Sequence, residues 1–208
     1  MSDGSSGCGS GSASASASGG ASGGASGGAS GGGATGERLR LHIGGEEVRE
    51  GWKILNIQAK PGVDYLGTAD DLSQFADGSV TEIYASHVYE HLKYMGQLRR
   101  ALKEAYRVLV PGGTLRAGVP DLEVLCKLLL HPQLNTDQKF HVQRMMFGGQ
   151  VDDYDIHYVG LTFEFFRNYL MGVGFKSVTR VKSFGLFNDT SDYSFAGVPI
   201  SLNVVATK

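Results

Sequence analysis

Apolar positions along this chain fall into short blocks of two kinds. Residues 39–43, 53–57, 63–66 and 80–85 are brief runs rich in β-branched and aromatic side chains, the make-up of strands. The first ends at Gly44-Gly45, a tight-turn signal, and only 45–52 separates it from the second, too little chain for a crossover helix. From Met95 the period changes: Met95, Leu98, Leu102, Ala105 and Leu109 recur at helical spacing, with Arg99, Arg100, Lys103 and Glu104 on the other side. Pro111-Gly112-Gly113 reads as the stop of that helix. Residues 114–119 read as a strand, and Pro120-Asp121 opens a helix through Leu130 with Asp121 as its N-cap. A helix over 137–147 and an aromatic helix over 162–171, closed by Gly172, follow; 175–181 and 201–206 complete a set of strands. Strands alternating with helices predict an α/β fold, a mostly parallel sheet with helices on both faces and an antiparallel edge strand formed by a final hairpin.

Composition divides the chain. Residues 1–36 are almost wholly Gly, Ser and Ala, with Asp3 the only charge, and cannot repay the entropy of ordering. They read as a disordered tail or linker, leaving 37–208 as one domain. The tail has neither the Arg of a transit peptide nor the apolar core of a secretory leader, and no apolar run reaches the ~20 residues of a membrane span. Two cysteines, Cys8 and Cys126, make no disulfide framework, so a reducing, cytoplasmic setting is expected, with Cys126 a small buried hydrophobe. The formal charge is −2 and basic residues are scattered, which argues against nucleic acid and for a small-molecule substrate. Nothing in the sequence speaks to oligomeric state.

In open α/β sheets ligands bind beyond the carboxyl ends of the strands, where this chain is polar or small. His42 and Gly44-Gly45 end the first strand, Asn56 and Gln58 the second; Asp70-Asp71 follow the third, and Ser86 and His87 end the fourth. Glycines admit a ligand close to the backbone, and acids or amides hold ribose hydroxyls and an adenine amino group, so His42, Gly44, Gly45, Gln58, Asp70, Asp71, Ser86 and His87 are the cofactor-binding candidates. His87-Val88-Tyr89-Glu90-His91 also matches H-x-x-E-H, an inverted zincin pattern. Zincin chemistry needs both histidines within a formed helix, whereas His87 falls at a strand-to-turn junction. Glu90 and His91 therefore read as bracing the turn, and no metal is expected. The stretch from Met145 to Tyr158 is Met-rich, aromatic and then acidic, suited to core packing or to an acceptor-side loop.

Two segments, Glu82-Ile83-Tyr84-Ala85-Ser86-His87-Val88-Tyr89-Glu90-His91-Leu92 and Arg107-Val108-Leu109-Val110-Pro111-Gly112-Gly113-Thr114-Leu115, resemble class I S-adenosylmethionine-dependent methyltransferases of the type 11 kind. Gly174-Phe175 fits the same pattern, and Val119-Pro120-Asp121-Leu122 and Gly185-Leu186-Phe187-Asn188-Asp189-Thr190 are similar to a narrower group of these enzymes. The resemblance implies a Rossmann-like seven-stranded sheet, S-adenosylmethionine as cofactor, and methyl transfer to a small molecule, a sugar or glycolipid intermediate. An acceptor hydroxyl would need a base, for which His157, Asp155 and His91 are the candidates. The chain departs from the pattern at Gln58, where the family has a ribose-binding acid, and in its glycine turn. The alternative those departures leave open is a catalytically inactive, methyltransferase-like interaction module.

Overall fold

The computed structural model describes residues 39–208; the Gly/Ser/Ala tail and Cys8 lie outside the described residues. Four short strands come first, β1 (Leu39–Ile43), β2 (Lys53–Asn56), β3 (Tyr65–Leu66) and β4 (Val80–Ser86), then the helix α1 (Gln97–Val108) and the long strand β5 (Leu109–Pro120). Three helices follow, α2 (Leu122–Leu129), α3 (Thr136–Phe147) and α4 (Phe163–Val173), and then β6 (Ser177–Val181). A small hairpin of β7 (Ser194–Phe195) and β8 (Val198–Pro199) precedes β9 (Ser201–Thr207).

Seven strands form one sheet in the order β3-β2-β1-β4-β5-β9-β6. β1 pairs in parallel with both β2 and β4, so the strand order reverses between β1 and β4, the switch point of a doubly wound sheet. β9 is the antiparallel strand, and it lies one place inside the edge, between β5 and β6, because the chain folds back from β6 across the 182–200 connection before entering the sheet. Strand alternation sorts the two faces. Leu41, Ile43, Ile83, Ala85, Leu115, Ala117, Leu202 and Val204 point to the side where α1 and α4 pack with Leu98, Leu102, Phe166 and Leu170. On the other side Tyr84 meets Trp52 and Phe187, which come from connecting segments.

Several local details differ from the sequence reading. α1 stops at Val108, before Pro111, and the Pro111-Gly112-Gly113 stretch is taken up into β5, where the register against β4 shifts between Val80 and Glu82. α4 runs through Gly172 and closes at Gly174, whose φ of 119° places it in the left-handed region that a helix C-terminus favours. Cys126 is exposed, since α2 turns Leu125 and Leu128 inward. Asp121 does cap α2, accepting from the backbone N–H groups of Glu123 and Val124.

Candidate functional site

The turns that leave β1, β2, β3 and β4 surround a cavity of about 530 Å³ at the switch point. Gly44, with φ 75°, turns the chain out of β1; a Cβ there would stand 2.6 Å from Val88 Cγ2, so only glycine lets the β1 turn lie against the β4 turn. Asn56 ties two turns together: its amide donates to Gly45 O at 3.1 Å, and its Oδ1 accepts from the Gln58 N–H at 3.0 Å. Gln58, Glu46 and Lys60 line the same side, with Glu46 and Lys60 ion-paired. Across from them Gly67, Thr68, Ala69 and Asp70 form the turn after β3; Asp70 is buried and ion-paired to Arg100.

Of the cofactor-binding candidates, the structure brings Gly44, Gln58, Asp70 and His87 to this cavity. Gly45 lies behind the turn, where a Cβ would meet the His42 ring at 2.4 Å. His42 itself is buried on the far face of the sheet, 5.0 Å from the Tyr84 ring centroid and 4.1 Å from that of Phe187. Burial lowers its pKa to about 4, against weaker opposing pulls from Asp189 and Glu47, so the ring is neutral. Ser86 also faces away, donating to Asp189 at 3.1 Å. Asp71 points outward, its carboxyl held below the ordinary range first by the Ser73 hydroxyl and backbone.

The far wall of the cavity is built where β4 ends. His87 adopts φ 53° and turns the chain into a single 3-10 turn, Tyr89–His91. The loop after α3 closes over this turn, with the N–H groups of Tyr158 and Val159 donating to Glu90 O at 2.8 and 3.2 Å. His91 and Tyr158 reach the cavity together with Asp153 and Tyr154. His157 stands just behind, its ring edge-on to His91 with centroids 4.8 Å apart. Burial depresses its pKa. Asp155 turns back into its own loop, accepting from the Val151 N–H at 3.4 Å. Glu90 is fully buried; burial pushes its carboxyl up, and the imidazoles gathered around it, His87 foremost, outweigh that and hold it below the usual range. Sequence reasoning does not single out Lys60, Lys93 or Gln97, which also line the cavity. Polar residues on turns and helix starts have no periodicity that separates a ligand contact from a solvated surface.

A seven-stranded sheet of this order with a cavity at its switch point defines the Rossmann-like methyltransferase fold. Residues 42–117 match a family model described as a methyltransferase domain. Among solved structures, a SAM-dependent methyltransferase from Thermotoga maritima aligns with a TM-score of 0.52 at 21% identity, over 82% of this chain and 82% of that one. Another, from Archaeoglobus fulgidus, aligns with a TM-score of 0.53 at 17% identity, over 83% of this chain and 87% of that one. No curated protein sequence matches. These alignments show that the described residues share the Rossmann-like fold of class I methyltransferases, and residues 42–117 are similar to a methyltransferase domain.

Proposed function

We propose that this chain transfers the methyl group of S-adenosylmethionine to a small-molecule acceptor, of the sugar or glycolipid-intermediate class that the sequence resemblance implies. The observation that supports this is the cavity bounded by Gly44, Asn56, Gln58 and Asp70, which are the turns where a doubly wound sheet takes a nucleoside. The cofactor, when bound, supplies an electrophilic methyl on a sulfonium. The rest of the work falls to the chain. Gln58 and Asn56 offer amide donors and acceptors to ribose hydroxyls in place of a carboxylate, and the turn from Gly67 to Asp70 walls the opposite side. The His91–Tyr158 end is left for the acceptor, so that the two reactants are held in line and the gain comes from positioning. His91 donates its Nδ1–H to Ile156 O at 3.1 Å, leaving a bare Nε2 to deal with the proton of an acceptor hydroxyl. His157 supports it from behind, and Asp155 orders the loop.

Calorimetric titration of the full chain with S-adenosylmethionine and with its demethylated product tests the cofactor site. Micromolar binding, weakened roughly fivefold or more by Gln58→Ala or Asn56→Ala, is expected. No heat with either compound overturns the assignment and favours the non-catalytic interaction module that Gln58 first suggested.

A further inference from the structure

We infer that the acceptor end of this cavity is a metal site, in which Glu90, His91 and His157 hold one divalent first-row transition cation, zinc being the reference case. The ligand atoms that these three residues offer all lie within 4.8 Å of one another. Ligands on a common zinc ion, at about 2.0–2.1 Å each, stand ~3.4 Å apart, so side-chain adjustments of about an ångström close the set.

Proton inventory favours a cation over a plain hydrogen-bonded cluster. His91 Nδ1 faces Ile156 O at 3.1 Å, and His157 Nδ1 faces Met145 O at 3.1 Å. A carbonyl only accepts, so each histidine carries its proton on Nδ1 and turns a lone pair on Nε2 toward its neighbours. Fixing an imidazole by its other N–H against a backbone carbonyl is the arrangement that orients metal-ligating histidines. The third member is an acceptor as well. The Glu90 carboxylate is 1% exposed, and neither oxygen accepts a hydrogen bond of regular geometry among the described residues. His87 Nδ1 stands 3.1 Å from Glu90 Oε1, and the other His87 nitrogen donates at 2.9 Å to the Ser201 hydroxyl, whose own hydrogen goes to Thr190 O, so His87 occupies the side of one carboxylate oxygen and leaves the second open to the ion. Three lone-pair donors converging in a buried spot repel one another until a cation sits between them. Two imidazoles and one carboxylate select a transition ion over magnesium or calcium.

This is not zincin geometry. The two histidines that the H-x-x-E-H pattern pairs do not both serve as ligands, because His87 belongs to the end of β4 and the missing ligand, His157, arrives from the loop after α3. A bound ion would stand at the wall formed by His87, His91 and Tyr158, with room on the cavity side for an oxygen of the acceptor. It would then lower the pKa of that hydroxyl, whose proton would pass to water in the open cavity, in place of proton abstraction by His91. That role rests on the methyl-transfer reading; the metal site itself does not.

The test is titration of the full chain, without S-adenosylmethionine, with Co²⁺ followed by its ligand-field absorption and by Zn²⁺ competition. One ion per chain is expected, with Mg²⁺ failing to compete. His91→Gln, His157→Gln and the isosteric Glu90→Gln should each weaken binding roughly tenfold or more, while His131→Ala, at an exposed position outside the cluster, leaves it unchanged. Saturating Zn²⁺ should raise the melting temperature of the wild type and not of the three variants, with circular dichroism checking that each is folded. Absence of Co²⁺ and Zn²⁺ binding to the wild type at micromolar concentration overturns the inference, as does equal binding by folded His91→Gln, His157→Gln and wild type. Because cofactor binding is measured separately, a chain that takes the metal but not S-adenosylmethionine loses only the methyl-transfer reading.

Discussion

The two faces of this sheet are built on different chemistry. Toward α1 and α4, the strands present Leu41, Ile83, Leu115 and Val204, all buried and all apolar. Toward the opposite side the same strands present His42, Tyr84, Ser86 and Asn203, which are polar although Tyr84, His42 and Asn203 are just as buried. The difference lies in what covers them. A helix satisfies its own backbone, so the sheet beneath it has only to be apolar. The 182–192 segment brings unpaired backbone groups that something must satisfy. Asn203 donates to Ser191 O at 2.9 Å and Ser201 to Thr190 O at 2.9 Å, while Asp189 accepts from Tyr84 at 2.8 Å and from the Ser191 N–H at 2.8 Å. Polar side chains on a buried sheet face are thus explained by loop cover, and they need not be ligand contacts.

The comparison predicts its largest effect on the helix-covered side. Phe166 is fully buried and packs on Tyr89 at 6.0 Å between ring centroids. Phe166→Ala should cost about 3–5 kcal/mol, because transfer and cavity terms add where rigid helices cannot collapse inward. Urea denaturation measures it. A loss below about 2 kcal/mol would mean that the helix layer relaxes as freely as loop cover.

On the loop-covered side the sensitive variable is pH. His42 is neutral in the folded chain, with its pKa lowered by burial to about 4 from an ordinary 6.5. Above 6.5 the ring is neutral folded or unfolded, and its contribution to stability is fully present. As pH falls the unfolded chain binds the proton first, so stability drops through the window from 6.5 to 4, by on the order of 3 kcal/mol once both states are protonated. His42→Leu should flatten that part of the stability–pH curve relative to wild type, as chemical denaturation at successive pH values would reveal. Parallel curves would show that the aromatic cluster opens to admit a proton.

The same contrast governs what could be read from sequence. The apolar face is written in periodicity: Leu98, Leu102 and Ala105 announce α1, and the strand runs announce β1, β2 and β4 within a residue or two. The polar face has no period of its own, because Tyr84, Ser86, Ser201 and Asn203 each answer groups of the 189–191 segment more than ten positions away. His42 and Ser86 look like ligand residues at strand ends, yet alternation turns both from the cavity, which no local pattern could settle before the pairing was known. Gly172 and Gly174 are equally good helix stops on paper; the choice falls on Gly174 because Phe175 must reach the core beside Tyr106. Convergence of Glu90 and His91 with His157 depends on the topology of the 65 residues between His91 and His157, so the H-x-x-E-H pattern alone suggests the wrong ligand set.

The smallest predicted effect concerns a place where the helix-covered side depends on polar contacts after all. α1 ends against β5 with no glycine to close it, and its last carbonyls are met instead by Lys208, whose Nζ donates to Tyr106 O at 2.6 Å, Arg107 O at 3.2 Å and Leu109 O at 2.6 Å. The ammonium also lies 4.6 Å from the centroid of the Tyr106 ring. A cation at a helix C-terminus complements the partial negative charge of its free carbonyls. Lys208→Met retains most of the apolar stem and removes three donors, leaving those carbonyls to water where it can reach them. The expected cost is about 1–2 kcal/mol, seen as a lower urea midpoint with an unchanged slope. An effect below about 0.5 kcal/mol would mean that water replaces the ammonium at no loss, and the helix-covered face would then owe its stability to apolar packing alone.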